Sequence, residues 1–291
     1  MKSIKIFDLQ KQYSVISKDI KKDIDKVLES GQYILGKNVK LLENKIAKFL
    51  NINYAISCNS GTDALILSLK AQGINAGDEV ITTPFTYFAT IEAIIHVGAK
   101  PIFIDINPHT YNINHKKIEN VITRKTKALL IVHLFGQACN ITEIKKICKK
   151  NKLKLIEDCA QSFGAKFNNK QTGTFGDFGC FSFFPTKNLG CYGDGGMITT
   201  NSIQYAKKLQ MLRNHGGLER NKHIYIGYNS RLDEIQAAIL LVKLKYIKKY
   251  INRRRALARV YSNTIDNNKI IIPFRQKEAF HTYNQYTIRT K

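Results

Sequence analysis

The chain has 291 residues, 44% of them hydrophobic, which is typical of a globular protein with one large domain and part of a second. It contains no run of about 18 apolar residues and no signal-peptide core, so we expect a cytoplasmic protein that neither crosses nor binds a membrane. The net charge of +24 comes from scattered lysine pairs typical of solvated helix faces, which favours an anionic substrate over nucleic acid.

Helical and strand-like segments alternate along the chain. Helical periodicity occurs over residues 17–30, 37–50 and 64–71, and a first apolar run lies at 54–58. Further short β-rich runs, separated by helical segments, lie at residues 79–82, 100–105, 128–133, 154–158, 179–183 and 197–200. This alternation predicts an α/β fold with a mostly parallel sheet and helices on both faces.

The composition changes after about residue 240. Residues 243–259 form a very basic helical pattern, and a final strand-like run covers residues 283–289. We predict a large domain over residues 1–240, followed over 241–291 by a linker helix and the start of a small C-terminal domain. Because the last strand pattern ends so close to the terminus, we expect this small domain to be incomplete.

Six cysteines are spread through the chain, and none of them form a C-x-x-C pair. We therefore predict no metal site. In a cytoplasmic chain such cysteines are typical of small buried hydrophobic residues.

Lys187 is the most informative single residue. Its neighbours are aromatic residues, small residues and glycines, a composition unlike that of an ordinary surface. An amine removed from water has a lowered pKa and can form a Schiff base with an aldehyde. The setting therefore predicts a lysine that binds pyridoxal 5'-phosphate. Such a cofactor also needs a carboxylate at its pyridine nitrogen, a phosphate site, a ring-stacking partner and a donor to its ring oxygen.

The predicted strand ends supply candidates for these contacts. Ser60, Gly61 and Thr62 stand at a strand-to-helix junction, where a phosphate site and a simple helix N-cap are equally consistent with the residues. Asp158 ends the run at 154–158, and either a contact with the pyridine nitrogen or a helix cap would explain it. Gln161 could reach the ring oxygen from the same side. Ser182, five residues before Lys187, is a candidate second phosphate ligand.

Three aromatic residues follow the run at 79–82. We expect Phe85 and Phe88 to pack in the core. Tyr87 is the better candidate for stacking on a planar cofactor.

These motifs together resemble the DegT/StrS family of nucleotide-sugar aminotransferases, which have the aspartate aminotransferase-like fold type I. The likeness covers roughly residues 5–289. The segments that carry it are Gly31-Gln32-Tyr33-Ile34-Leu35-Gly36, Ser60-Gly61-Thr62-Asp63-Ala64-Leu65, Pro84-Phe85-Thr86-Tyr87, Glu157-Asp158-Cys159-Ala160-Gln161-Ser162, the segment around Lys187, and Asn229-Ser230-Arg231-Leu232-Asp233-Glu234.

The resemblance implies a role for each candidate residue. Lys187 would be the catalytic Schiff-base lysine, Asp158 would pair with the pyridinium, Gln161 would contact the ring hydroxyl and Tyr87 would stack on the ring. The implied phosphate ligands are Ser60, Gly61, Thr62 and Ser182, together with Asn229 reaching across from the partner subunit of a homodimer. Tyr33 and Arg231 match positions that contact the sugar nucleotide. Some relatives carry histidine at the lysine position and act as dehydratases, and Lys187 argues against that branch.

The implied reaction is a transamination from an amino acid, expected to be glutamate, to a nucleotide-linked keto sugar. The segments 31–36, 190–196 and 285–289 resemble most closely the transaminase for a UDP-linked 2-acetamido-3-keto-glucuronate. This favours a 3-keto sugar destined for surface polysaccharide such as the lipopolysaccharide O-antigen. Two alternatives stay open: a 4-keto-6-deoxy sugar as substrate, and a truncated, inactive remnant that still binds pyridoxal phosphate. Family members usually continue past residue 291, through a segment that helps to bind substrate.

Overall fold

Seven strands form the central sheet of the computed structural model, which describes residues 7–219 and 221–290. Their order across this sheet is β1-β9-β8-β5-β4-β2-β3, and the remaining strands form two small sheets, β11-β6-β7 and β10-β12. In chain order the strands are β1 (Tyr54–Cys58), β2 (Glu79–Thr82), β3 (Lys100–Phe103), β4 (Thr126–Val132), β5 (Lys154–Asp158), β6 (Lys166–Phe167), β7 (Lys170–Gln171), β8 (Phe178–Ser182), β9 (Gly196–Thr200), β10 (Ile270–Ile271), β11 (Ala279–Phe280) and β12 (Arg289–Thr290).

All strands of the central sheet except β9 run in one direction. The β2–β3, β2–β4, β4–β5 and β5–β8 pairs are parallel, whereas β9 is antiparallel to both of its neighbours, β8 and β1. The predicted mostly parallel sheet is therefore confirmed. Because the parallel strands share one direction, their carboxyl ends meet at one edge, which is where α/β proteins bind ligands.

Helices cover both faces of this sheet, as predicted. They are α1 (Leu9–Ser30), α2 (Lys37–Leu50), α3 (Gly61–Gln72), α4 (Ala89–His96), α5 (Ile141–Asn151), α6 (Ile203–Leu212), α7 (Glu234–Leu244) and α8 (Ile247–Thr264). Successive side chains of a strand point to opposite faces of the sheet. Leu130 of β4 therefore packs in a hydrophobic cluster with residues of α3, α4 and α6, whereas Leu129 packs in a second cluster with residues of α5. A third cluster joins β9 to α2 and α7.

The six cysteines are buried and free, as predicted. Burial raises the pKa of each thiol, so they remain neutral and pack as small apolar groups. Among residues 7–219 and 221–290, no helix combines the length and the apolar character needed to cross a membrane.

Two sequence predictions for the C-terminal part are wrong. The basic helix predicted over 243–259 is interrupted, because α7 ends at Leu244 and α8 begins at Ile247. The run at 283–289 is not a strand before Arg289, because Tyr283 has a left-handed backbone (φ 49°). Residue 240 lies inside α7, and the division into two domains stays a prediction.

Candidate active site

Several predicted cofactor residues lie at the carboxyl edge of the sheet. Asp158 is the last residue of β5, and Ser182 is the last residue of β8. Strand β1 leads through Ser60 into α3, whose first residue is Gly61. Lys187 follows β8 in a turn, where its backbone N–H donates to the carbonyl of Phe184 (2.9 Å). The fold therefore brings residues from distant parts of the sequence to one edge.

Asp158 presents a buried carboxylate at this edge, with 5% of its surface exposed. It accepts hydrogen bonds from the Thr90 hydroxyl (2.9 Å) and from the Ala160 backbone N–H (3.0 Å). Burial raises the pKa of Asp158, while these two bonds and the nearby charge of Lys187 oppose the rise. A carboxylate held in this way, with little water around it, suits a cationic ring nitrogen.

Lys187 has the properties expected of a nucleophilic amine. The residue is half-buried, and its side chain makes no hydrogen bond or salt bridge within residues 7–219 and 221–290. Burial lowers the pKa of the Lys187 amine, and the charge of Asp158 raises it in part. The amine therefore loses its proton more readily than a solvated lysine, and a neutral amine is the form that attacks an aldehyde.

The start of α3 is both a capped helix end and a suitable phosphate site. The Ser60 hydroxyl accepts from the Asp63 backbone N–H (3.0 Å), so the helix-cap interpretation is confirmed. This cap leaves the N–H groups of Gly61 and Thr62, which have no intrahelical partner, to face an anion. Gly61 lies so close to β8 that a Cβ atom on it would be 2.6 Å from the Ser182 Cβ. The phosphate role itself stays a prediction.

We expect Gly61→Ala to weaken cofactor binding. The new methyl group cannot fit 2.6 Å from the Ser182 Cβ, so the first turn of α3 must move away from Ser182. We expect the dissociation constant for pyridoxal phosphate to rise by about tenfold, the effect of roughly one misplaced hydrogen bond. Titration of the cofactor-free protein measures it. Ser182→Gly removes the contact with the Ser182 Cβ and leaves only the Cα at 3.2 Å, so Gly61→Ala should cost much less in that background. An equal loss in both backgrounds would contradict the steric explanation.

Gln161 is held by a turn that the sequence analysis missed. Its Oε1 accepts from the backbone N–H of Phe135 (2.6 Å), so the oxygen end of the amide faces this turn and the nitrogen end is left to donate elsewhere. Phe135 has a left-handed backbone (φ 57°, ψ 5°), which is costly for a residue other than glycine. The arrangement suits the predicted donation to the cofactor ring oxygen, although that contact stays a prediction.

The aromatic segment after β2 is more exposed than predicted. Phe85 and Phe88 are 45% and 65% exposed, so their assignment to the core is wrong. Phe88 is the N-cap of α4, and the Phe85 ring contacts those of Tyr111 and Phe135. Tyr87 is 76% exposed and is thus accessible to a planar ligand. Its stacking role stays a prediction.

The segment around Asn229 is fixed to the start of α3. The Ser230 hydroxyl donates to Asp63 Oδ2 (2.6 Å) and accepts from the Asn59 backbone N–H (3.3 Å). Ser230 is fully buried, and these bonds fix the backbone from which its two neighbours, Asn229 and Arg231, extend. The sequence analysis did not single out Ser230, because a serine in a polar loop carries no periodic signal.

Glu234 connects the two segments that carry the predicted substrate residues. Its carboxylate accepts from the backbone N–H groups of Asn38 and Val39 (2.9 Å each), which caps the start of α2. Its own N–H donates to the carbonyl of Tyr33 (2.9 Å). Tyr33, which is 48% exposed, is therefore held beside the segment that contains Arg231. Their contacts with a substrate stay predictions.

Glu157 is a second buried carboxylate next to Asp158. It accepts from the backbone N–H groups of Gly173 (2.9 Å), Phe175 (2.7 Å) and Gly176 (2.8 Å), and it pairs with His133 Nε2 (2.9 Å). A glutamate inside an apolar strand is a signal that the sequence analysis could have used.

Glu157 also lies near other groups that could bind a metal. Atoms of His133, Glu157 and Cys159 lie within 4.8 Å of one another. However, His133 Nδ1 accepts from the Cys139 N–H (3.0 Å), so its neutral form donates to Glu157 through Nε2. Glu157 and His133 thus belong to a hydrogen-bond network that fixes the strand end carrying Asp158.

We expect Glu157→Gln to destabilise the protein. The amide nitrogen would face backbone N–H groups or the His133 N–H, which leaves donors without acceptors in the core. The expected loss is about 3 kcal/mol in the free energy of unfolding, measured with urea. Glu29→Gln, at an exposed position of α1, is the control and should change stability by less than about 0.5 kcal/mol. Equal effects of the two substitutions would contradict this role for Glu157.

Comparison with known proteins identifies the class. The central sheet is that of fold type I enzymes, and the chain is an aminotransferase that uses pyridoxal phosphate. More narrowly, it belongs to the DegT/DnrJ/EryC1/StrS aminotransferase family, which matches residues 14–291. The resemblance found in the sequence is thereby confirmed.

Three relatives show the extent of the similarity. The chain is 44% identical over 286 residues to the UDP-2-acetamido-2-deoxy-3-oxo-D-glucuronate aminotransferase of Pseudomonas aeruginosa, covering 98% of this chain and 80% of the relative. It is also 44% identical over 288 residues to the dTDP-3-amino-3,6-dideoxy-alpha-D-galactopyranose transaminase of Aneurinibacillus thermoaerophilus, covering 99% and 79%. The crystal structure of DesV from S. venezuelae, in complex with a ketimine intermediate, superposes with a TM-score of 0.97 at 35% identity, covering 100% and 78%.

Proposed function

We propose that the protein transfers an amino group from an amino acid, with glutamate expected, to a 3-keto sugar linked to a nucleotide. The observation that carries the transamination is the half-buried, unpaired amine of Lys187 in the electrostatic field of the buried Asp158. The 3-keto position rests on two relatives, whose names specify a 3-oxo or a 3-amino sugar. We further propose a cytoplasmic enzyme that serves surface polysaccharide synthesis.

The residues of this site suit pyridoxal phosphate, and each of them has a separate role. Pyridoxal phosphate, when bound, supplies the aldehyde and the electron-accepting ring. Asp158 keeps the ring nitrogen protonated, since a buried carboxylate is best compensated by a nearby positive charge. Lys187, with its lowered pKa, takes a proton at Nζ from the amino donor and returns it, acting first as general base and then as general acid. The start of α3 and Ser182 hold the phosphate.

A substrate panel tests this proposal. Purified protein with pyridoxal phosphate and glutamate should release 2-oxoglutarate in a first half-reaction, and then aminate a UDP-linked 3-keto sugar. Amination of 4-keto-6-deoxy nucleotide sugars alone would support the second substrate class. Cofactor binding without any half-reaction, across a panel of amino donors, would show an inactive remnant and overturn the proposal.

Arg231 indicates which 3-keto sugar fits best. Its Nη1 donates to Asn214 Oδ1 (3.3 Å), whereas its Nη2 makes no hydrogen bond within the described parts of the chain. A guanidinium with an unused donor is suited to a carboxylate, which it can bind with two parallel hydrogen bonds. We therefore propose a uronate sugar, the type that the P. aeruginosa relative is named for.

We expect Arg231→Lys to discriminate between sugars. Lysine keeps the charge but cannot form the two parallel bonds, so KM for a 3-keto uronate should rise by about tenfold. KM for the matching sugar without a carboxylate should stay unchanged. The value of kcat should stay unchanged with either sugar. Steady-state kinetics measures this, with Arg253→Lys on the exposed side of α8 as the control. Equal changes for both sugars would exclude a carboxylate contact.

We propose a homodimer in which Asn229 reaches the phosphate bound by the partner subunit. The exposure of Tyr87 and Phe88 beside the site supports an apolar surface that a second copy could cover. Mixing Lys187→Ala with Asn229→Ala chains should then restore part of the activity, because one site of the mixed dimer regains both residues. A monomer in sedimentation, or no recovery on mixing, would contradict shared sites.

A further inference from the structure

The segment 282–285 lies directly on the turn that holds Gln161. The Thr282 backbone N–H donates to the Gly136 carbonyl (2.9 Å), and the Gln285 N–H donates to the Phe135 carbonyl (3.4 Å). The approach is so close that a Cβ on Gly136 would lie 2.5 Å from Thr282 Oγ1. The left-handed backbone of Phe135 is thus stabilised from outside, by a segment far away in the sequence.

Two arginines of α8 hold this segment from its other side. Arg254 Nη1 donates to the carbonyls of Tyr283 (3.4 Å) and Asn284 (3.2 Å). Arg255 Nη1 donates to the carbonyl of His281 (2.9 Å), and its guanidinium lies 3.8 Å from the centroid of the Phe280 ring. Arg254 thus occupies the carbonyls of Tyr283 and Asn284, which the start of the run at 283–289 would need in order to pair as a strand.

The contacts form a continuous path from α8 to the cofactor site. Arg254 fixes the segment 282–285, the segment fixes the Phe135–Gly136 turn, and the Phe135 N–H fixes Gln161 Oε1 (2.6 Å). Each link is a hydrogen bond to a backbone group, so a shift at one end changes the geometry at the other. Because Oε1 is engaged in this way, the amide nitrogen of Gln161 must point away from Phe135.

We propose that Arg254 is a positioning residue, which sets the orientation of the Gln161 amide toward the cofactor. This rests on the proposed function, in which Gln161 donates to the cofactor ring oxygen. Arg254 itself touches carbonyl groups of the chain. Its role is to keep the strained turn in place, so that the amide does not rotate when the cofactor is absent.

The first test uses the cofactor-free protein. In Arg254→Met, which removes the donors but keeps most of the apolar stem, the amide proton of Phe135 should exchange with deuterium at least about fivefold faster. Arg253→Met, an exposed neighbour on the same helix, should leave this rate unchanged. If Arg254→Met does not fold, Arg254→Gln replaces it, because its shorter amide keeps a polar end but cannot reach the carbonyls of both Tyr283 and Asn284. Unchanged Phe135 exchange in the folded variant would overturn the proposal.

The second test is a double-mutant cycle on the cofactor-loaded protein. Arg254→Met should raise the dissociation constant for pyridoxal phosphate by about threefold to tenfold, and it should shift the pH midpoint of the visible band in the same direction as Gln161→Leu. In the Gln161→Leu background, Arg254→Met should change neither quantity further. Fully additive effects would overturn the proposal, whereas a visible band that does not depend on Lys187 would instead overturn the proposed function.

Discussion

Lys187→Ala is expected to abolish transamination, with kcat falling by roughly four orders of magnitude or more. The substitution removes the amine that binds the cofactor aldehyde, and the base and acid that moves the proton. The half-buried side chain has no hydrogen bond or salt bridge in the described parts of the chain, so its removal should leave the fold intact. The visible absorbance of lysine-bound pyridoxal phosphate reports the loss of the Schiff base. Single-turnover kinetics with glutamate measures the loss of proton transfer.

Lys243 is the matched control for this experiment. It is also buried, with 3% of its surface exposed, and burial lowers its pKa to about 8. However, its ammonium faces the ring of Tyr192, 4.6 Å from the centroid, and not a carboxylate. Lys243→Met should therefore keep the visible band. If the band persisted in Lys187→Ala and vanished in Lys243→Met, the assignment of the reactive lysine would be wrong.

The lowered pKa of Lys187 also predicts how the rate of cofactor binding depends on pH. Only the neutral amine attacks the aldehyde, so the rate of cofactor capture by the cofactor-free protein should rise with pH. Because burial lowers the pKa of Lys187, this rise should level off below 10.5, the usual value for a lysine. Stopped-flow measurement of the visible band follows the rate. A rise that continued through 10.5 would show an amine that is not desolvated.

The sequence predicted those parts of the site that follow from strand ends. Asp158, Ser182 and the start of α3 each stand where an apolar run stops, and parallel strands bring such ends to one edge. Phe135 and Arg254 could not be predicted in this way. Their roles depend on the bonds between the segment 282–285 and the Phe135–Gly136 turn, which join residues more than a hundred positions apart, and no local pattern records such a pairing.

Asp158→Asn is expected to lower kcat by roughly 10²- to 10³-fold, the usual effect of removing one preorganised electrostatic group. Asparagine has nearly the same shape, but it cannot keep the ring nitrogen protonated. The local network tolerates the change: the Ala160 N–H can still donate to the remaining oxygen, and the Thr90 hydroxyl can accept from the new amide while it donates to Thr86. Steady-state kinetics measures the loss, and a variant with wild-type kcat would exclude the pyridinium contact.

The same substitution should stabilise the cofactor-free protein above the acid range. Burial raises the pKa of Asp158 above its unfolded value, so between the two values the folded chain holds more protons than the unfolded chain. The free energy of unfolding of the wild type therefore falls as pH rises through that window, and Asp158→Asn removes this fall. Urea titrations from about pH 3 to pH 8 should show that the free energy of unfolding of the variant increases relative to that of the wild type as the carboxyl ionises. A lower stability of the variant at neutral pH would mean that the hydrogen bonds to the carboxylate and the charge of Lys187 outweigh the desolvation of Asp158. The predicted higher stability of Asp158→Asn means instead that this carboxylate destabilises the cofactor-free protein. Its benefit is the interaction with the positive charge of the bound cofactor.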